Sequence, residues 1–341
     1  MKDLIQAQKM IYPDLLEVMQ KRYTILYTIS LFEPIGRRGI VEQTRFPERF
    51  IRNEIELLQN QNLVQMTTKG MFITEIGKDI ISNLHQFNRE LSGISHLEKQ
   101  LMLKIGIQKV IIVPGDCDQH EFIKQELGRA TVKFLKTIVD RNVTIAVTGG
   151  TTMAAVAESM VPFEQYECVF VPARGGIGEK VENQANTIVA KMAKAEKGNY
   201  HLLHVPDPLS ELLYQSLIKE SSIADTLNII KSANFVIHGI GDALTMASRR
   251  KTPQKVKEKL IEQKAVSEAF GYYFDADGNI VHKVRTLGIQ LEDLSQTSYV
   301  LTVAGGKSKA QAIASYMIQG KSDVLITDEA AATEILSMNN K

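Results

Sequence analysis

Two stretches of this chain join a short β-branched run to a glycine pair and then to hydroxyl or lysine residues. Val143–Val147 leads into Thr148-Gly149-Gly150-Thr151-Thr152, and Tyr299–Val303 into Ala304-Gly305-Gly306-Lys307-Ser308-Lys309. Glycines let backbone N–H groups converge without a Cβ in the way, and a helix starting there adds unpaired donors and the positive end of its dipole. The pattern predicts two anion cradles, most simply for phosphate. In the first, Thr151 and Thr152 offer hydroxyls at a helix start, although a threonine there is equally well read as an ordinary cap. In the second, Lys307 and Lys309 add fixed positive charge. A Walker A loop would need a glycine five residues before Gly306, where Leu301 stands, so nucleoside triphosphate hydrolysis is not supported.

Other strand ends carry polar groups that fit a sugar phosphate. Arg174-Gly175-Gly176-Ile177-Gly178 places a cation after the run ending in Val171-Pro172, and Gln184 and Asn186 follow, placed to bond sugar hydroxyls. A dinucleotide fingerprint fails here, because Val181 takes the place of its third glycine. His238-Gly239-Ile240-Gly241-Asp242 ends another run, with Arg249, Arg250 and Lys251 behind it, a trio that reads as well as a solvated face. Glu268 could accept bonds from sugar hydroxyls or be a plain surface carboxylate. Asp275-Ala276-Asp277 starts like a calcium loop, yet Thr286 replaces the closing glutamate and Gly278 is out of place. The seven histidines form no ligand-spaced set, so no metal site is expected.

The elements that must position these residues follow from the periodicity. At 341 residues with 44% apolar content, two domains are expected. The pattern changes near Leu91-Ser92-Gly93, which places one domain at 1–92 and the other at 93–341. In the second, strand-like runs at Val110–Val113, Val143–Val147, Cys168–Val171, His201–Val205, Phe235–His238, Val300–Val303 and Val324–Thr327 are mostly followed by helical stretches. That alternation predicts an α/β domain with a parallel sheet, whose ligands bind beyond the carboxyl ends of the strands. Phe270–Phe274 with the Asp277-Gly278 turn reads as a β-hairpin, and Leu97–Leu103 as a short connecting helix. The net charge of +1 excludes a globally basic nucleic-acid coat. Two distant cysteines, Cys117 and Cys168, suit a reducing compartment. No apolar run approaches the ~20 residues of a membrane span, so the expectation is a cytoplasmic protein with no membrane partner.

The N-terminal module reads as three helices and a wing. Ile25, Leu26, Ile29 and Phe32 mark one helix from Lys21, Gly36–Thr44 a second, and Pro47 onward a third with Phe50, Ile51, Ile55, Leu57 and Leu58 inward. Phe46 would then be the N-cap, a poor choice for that place. Leu63–Thr74 around Lys69-Gly70 predicts a two-stranded wing, so the whole is a winged helix-turn-helix. From Gly36 to Arg52 there are five arginines against Glu42 and Glu48, a local charge of +3. Arg37, Arg38, Arg49, Arg52, Asn53 and Lys69 are the candidate DNA contacts, with double-stranded operator DNA as the partner. The alternatives are a solvated face or a protein-contact module, which steep salt dependence of DNA binding would distinguish.

Taken together, Thr148-Gly149-Gly150-Thr151-Thr152, Arg174-Gly-Gly, Gly239-Ile-Gly241-Asp242, Glu268-Ala-Phe-Gly-Tyr-Tyr-Phe and Ala304-Gly305-Gly306-Lys307-Ser-Lys309 behind a winged helix resemble the SorC/DeoR-type sugar-binding transcriptional regulators over essentially the entire chain. Leu4-Ile-Gln-Ala-Gln-Lys and Glu33-Pro-Ile-Gly-Arg-Arg resemble most the repressors of central glycolytic genes in Gram-positive bacteria. The resemblance implies a Rossmann-like effector domain similar to ribose-phosphate isomerase and glucosamine-phosphate deaminase. It implies no cofactor, but an effector, fructose 1,6-bisphosphate or a related sugar phosphate, and a homo-dimer or homo-tetramer on the operator. By motif, the effector contacts fall on Thr151, Thr152, Arg174, Gln184, Arg250 or its neighbour Arg249, Glu268 and Lys309, with backbone donors from Gly150 and Gly178. Two phosphates would suit the two cradles.

An isomerase or deaminase on this fold is the alternative, and it needs a general base and a ring-opening acid. Asp242 could be the base. The comparable deaminase segment runs on into an Asp-Gly-His cluster, whereas here Ala243-Leu244-Thr245-Met246 follows, so the chain is expected not to be an enzyme.

Overall fold

A computed structural model of the chain describes residues 7–8, 10–163, 166–177 and 180–338, the side chain of Gln86 excepted. The chain divides into two compact units, Met1–His96 and Leu97–Lys341.

In the first unit, α1 (Pro13–Phe32), α2 (Arg37–Thr44) and α3 (Glu48–Asn60) precede a hairpin of β1 (Val64–Thr67) and β2 (Gly70–Ile73), then α4 (Glu75–Leu91). The first helix starts earlier than the expected Lys21 because Pro13 fits its first turn, where the missing N–H costs nothing. Ile25, Ile29, Ile40, Ile51, Ile55 and Leu58 bury one face of each of the three helices in a common core. Glu54 joins them inside because Arg22 Nε of α1 donates to its Oε2 at 2.5 Å. Pro47, expected inside the third helix, is instead its extended N-cap and offers no side-chain cap. Phe46 is therefore no cap; its ring packs edge-on against Phe50 at 5.8 Å. Ile35 exchanges two backbone hydrogen bonds with Met71, which fastens the α1–α2 connection to the wing.

The second unit begins with α5 (Ile94–Ile105), a helix that starts before the division and is longer than the Leu97–Leu103 expected. Its sheet comprises β3 (Lys109–Val113), β4 (Val143–Val147), β5 (Cys168–Pro172), β6 (Asn199–Tyr200), β7 (Phe235–His238), β12 (Tyr299–Val303) and β13 (Val324–Asp328), all paired in parallel in the order β3-β13-β12-β7-β4-β5-β6. The consecutive residues Phe235, Val236 and Ile237 are each at most 3% exposed, so both sheet faces are covered. α6 (Phe122–Ile138), α7 (Thr151–Glu158) and α8 (Ala185–Glu196) share one apolar cluster with Ile145, Phe170 and Leu301.

The run His201–Val205 is not a strand. Only Asn199 and Tyr200 pair with β5, because beyond them the Asn186 side chain takes both the N–H and the carbonyl of Leu203, at 3.1 Å each. Those are the groups a ladder would use, so Asn186 is a clamp rather than a sugar ligand. After α9 (Glu211–Leu217) and α10 (Ser221–Lys231), a second sheet forms from β8 (Gly241–Asp242), β9 (Ser267–Ala269), β10 (Tyr272–Phe274) and β11 (Ile280–Lys283), with α11 (Ala243–Arg249) and α12 (Gln254–Glu262) inserted. The expected hairpin is β10–β11, and Glu268 lies in a strand beside it. α13 (Ala310–Gln319) and α14 (Glu329–Ser337) complete the unit.

Ile55→Ala should destabilise the first unit by about 2–5 kcal/mol, the usual cost of a truncated core isoleucine. Scanning calorimetry is expected to show one transition moving down while the other stays. A single transition shifting as a whole would show that the two units unfold as one.

Candidate functional site

The carboxyl ends of β4, β5 and β7, together with β8, β9 and the start of α13, surround a cleft of about 850 Å³, open solvent at its mouth included. Gly150, Thr151, Thr152, Arg174, Gln184, Arg250, Glu268 and Lys309 all line it, as do Arg249 and Phe270. Gly178 lies outside the described residues.

One side of the cleft is the N-terminus of α7. Gly150 turns the chain at φ +122° and no side chain caps the helix. The first helical bond runs from Ala154 N to Gly150 O, so the amides of Thr151, Thr152 and Met153 precede it. Gly150 itself is not a donor to a ligand, because its N–H is spent on the Asn183 carbonyl at 2.8 Å. The close approach of that carbonyl is what Gly149 permits: a Cβ there would sit 2.7 Å from Asn183 O.

The opposite wall is a buried ion-pair network. Glu268 Oε1 accepts from Arg174 Nη1 at 3.1 Å, Arg250 Nη2 at 2.8 Å and the Gly271 amide at 2.6 Å. Arg250 Nη1 also donates to the Tyr273 hydroxyl at 3.0 Å, and Arg174 Nη2 to Asp207 Oδ2. Burial alone would raise the Glu268 carboxyl, but Arg250, Arg174 and the Gly271 amide offset it and hold it below the usual carboxylate range. Two guanidiniums face two carboxylates, so this wall is neutral. Glu268 and Asp207 neutralise Arg174 and Arg250, which enter the network as structural cations as well as cleft residues.

The two neighbouring arginines have separate fates: the Arg250 side chain is fully buried, whereas Arg249 is exposed and lines the cleft. Burial, together with the cations of Lys124 and Arg249, pushes the Lys309 ammonium below the usual lysine value. Like charges held together in a cleft favour an anion between them. His238, just beneath, is buried between Phe270 and Tyr316, and burial pushes it down to about 4. Asp242, the candidate base, is a helix cap: its Oδ1 accepts from Thr245 N at 2.8 Å.

The second glycine pair is not an anion cradle. Gly306 N and Cys117 N both donate to Asp328 Oδ2 at 2.7 Å, Ser308 N donates to Asp118 Oδ2 at 2.7 Å, and Lys307 N to Asp116 Oδ1 at 3.4 Å. Internal carboxylates thus occupy the converging amides that the sequence offers to phosphate. Lys307 turns to Glu334, 3.4 Å away, and only Lys309 reaches the cleft.

In the first unit, Arg49, Arg52 and Asn53 are exposed along α3, Arg37 and Arg38 at the start of α2, and Lys69 at the wing turn, where Thr67 Oγ1 accepts from Lys69 N at 3.2 Å. These are the groups that major-groove reading and phosphate contact require.

Asp207 and Tyr273 are the site residues that sequence reading misses. Asp207 carried one signal, its place between Pro206 and Pro208, which makes a rigid turn presenting a carboxylate. Asp328→Ala would strip the shared acceptor from Gly306, Cys117 and, through Oδ1, Ala331 N. With each orphaned amide costing about 1–3 kcal/mol, a loss of about 3 kcal/mol or more is expected in urea unfolding.

Comparison with known proteins bears on both units. The family model "Putative sugar-binding domain" matches residues 89–337, and the model of the CggR N-terminal DNA binding domain matches residues 18–88. The chain is 50% identical over 338 residues to the central glycolytic genes regulator of Priestia megaterium, covering 98% of this chain and 99% of the relative. It is 49% identical over 337 residues to that of Bacillus subtilis, with the same coverage. A SorC family transcriptional regulator from Enterococcus faecalis has a solved structure, 46% identical, which superposes with a TM-score of 0.68 over 71% of this chain and all of that one. The full-length sorbitol operon regulator SorC of Klebsiella pneumoniae, at 18% identity and a TM-score of 0.67, shares the fold over 89% of this chain and 94% of its own. A DNA-binding winged helix joined to a parallel-sheet sugar-binding domain, with relatives at about half identity along the whole length, makes this chain a member of the SorC family of sugar-binding transcriptional regulators, within the group of central glycolytic genes regulators.

Proposed function

We propose that this chain is a repressor of glycolytic genes that binds operator DNA as a homo-dimer or homo-tetramer, and that a phosphorylated sugar, fructose 1,6-bisphosphate first, weakens that hold. The observation that carries the reading is the composition of the cleft: an uncapped helix N-terminus with two threonine hydroxyls on one side, and Lys309 with Arg249 on another. One phosphate is taken by Thr151, Thr152 and the first amides of α7. The other is taken by Lys309 and Arg249, in place of the second glycine pair. Gln184 and Glu268 face the sugar hydroxyls between them. Arg250 then supports the site through Glu268 rather than meeting phosphate itself.

Repression and its relief form one linked equilibrium. The sugar bisphosphate favours one arrangement of subunits and the operator another, so each weakens the other in proportion to its preference. The enzymatic alternative has less support, because Asp242, its candidate base, spends one carboxylate oxygen on the α11 cap.

The first test is fluorescence anisotropy on DNA from the protein's own upstream promoter. Binding should fall steeply with salt, as phosphate neutralisation requires, and should respond to millimolar fructose 1,6-bisphosphate but not to fructose. Absence of DNA binding at every salt concentration would sink the repressor reading.

A second test uses the depressed lysine. An anion is held by charged Lys309, so affinity for the bisphosphate should fall as pH rises through its lowered value, earlier than an ordinary lysine would allow. Lys309→Arg, which keeps its charge, should flatten that alkaline fall in isothermal titration.

A further inference from the structure

One member of the buried charge network does not reach the cleft. The Asp207 side chain is fully buried, and its Oδ2 accepts from Arg174 Nη2 while its Oδ1 has no hydrogen-bond partner. Arg250 Nε lies 3.6 Å from that oxygen, too far for a hydrogen bond, and this Nε is itself without a partner, as is Arg174 Nε. Glu268 Oε1, by contrast, accepts three bonds. Of the two carboxylates, Asp207 is the incompletely satisfied one, and a buried charge in that condition is costly.

Arg174 is the residue that connects this deficit to the ligand. It lines the cleft, yet both terminal nitrogens are committed to carboxylates, Nη1 to Glu268 and Nη2 to Asp207. A guanidinium fork also fits phosphate oxygens, so an anion in the cleft and Asp207 are rival acceptors for the same donors. If Nη2 passes to phosphate, Asp207 keeps a compensating cation, because closing the 3.6 Å gap to Arg250 Nε supplies two missing partners at once. The main chain around Asp207 is pinned on both sides, Asp207 N to Gly176 O and Leu209 N to Arg285 O, both at 3.0 Å. The exchange is therefore a side-chain movement.

We propose that Asp207 is an internal counter-ion that competes with the ligand's phosphate for Arg174 and thereby sets how strong an anion the cleft accepts. The proposal rests on the anion-binding reading of the cleft. A weak or singly charged anion does not displace a buried carboxylate, whereas a phosphate already seated on α7 or Lys309 presents its oxygens to Arg174 at high local concentration.

The test is isothermal titration of orthophosphate and of fructose 1,6-bisphosphate onto the full chain and onto Asp207→Asn. The variant removes the competing charge at nearly constant shape. Orthophosphate affinity should rise about tenfold, the difference between a charged and a neutral rival acceptor, and the preference for the bisphosphate over orthophosphate should narrow. Adding D207N to an Arg174→Gln chain should bring no such gain. A weaker or unchanged orthophosphate affinity in D207N overturns the proposal and leaves the sugar-phosphate reading intact. If the unaltered chain binds neither anion, both fall. Should D207N fail to fold, the Arg174 Nε–H signal of the unaltered chain, assigned by its loss in Arg174→Lys, decides: it should move on adding the bisphosphate, and a fixed signal overturns the exchange.

Discussion

A single oxygen of Glu268 receives N–H groups from Arg174, Arg250 and Gly271, and the shape of the cleft depends on that contact. It ties the end of β5, the end of α11 and the strand β9 to one point. To reach it, the chain between β9 and β10 turns through Phe270 at φ +52° and Gly271 at φ +85°, which brings the Gly271 amide back onto Glu268. A side chain at Gly271 would be strained there, and its Cβ would lie 3.1 Å from Arg174 Nη2. The network also fixes the electrostatics. Glu268 and Asp207 neutralise the two buried arginines, and the other cations that line the cleft among the described residues are Lys309 and Arg249.

The two glycine pairs show one piece of chemistry used in two ways. Both end a parallel strand, and both turn with a positive φ at the second glycine, Gly150 and Gly306. At the first, the helix amides open into the cleft. At the second, Asp328, Asp118 and Asp116 supply the negative charge from within the chain. A helix start attracts an anion in either case; whether that anion is a ligand or a side chain depends on which loop folds over it. Asp328 does a second job in the same place, because its other oxygen caps α14 through Ala331 N.

Much of the fold is legible in the chain. The β-branched runs at Val143, Phe235, Val300 and Val324 become central strands because parallel strands covered on both faces must be apolar throughout. The winged helix is legible from its helical stripes and from Lys69-Gly70. The limits arise where a distant side chain overrides local preference. The apolar run His201–Val205 has the composition of a strand, but Asn186 from α8 occupies the backbone groups of Leu203. Phe46 looks like a bad cap only if Pro47 is taken as helical; with Pro47 as the cap, the phenylalanine is a packing residue.

What the sequence determined by itself was the local chemistry: which strand ends carry glycines, which carry cations, and where five arginines concentrate ahead of the wing. These depend on neighbouring residues, and spacing along the chain expresses them. Tertiary structure alone decided which of those groups face a ligand. It buried Arg250 and left Arg249 at the cleft, filled one cradle with carboxylates, spent the Gly150 amide on Asn183, and brought Asp207 to Arg174 across 33 residues of chain. The reason is that a buried polar group must find a partner wherever the fold supplies one, and such partners carry no signature in spacing.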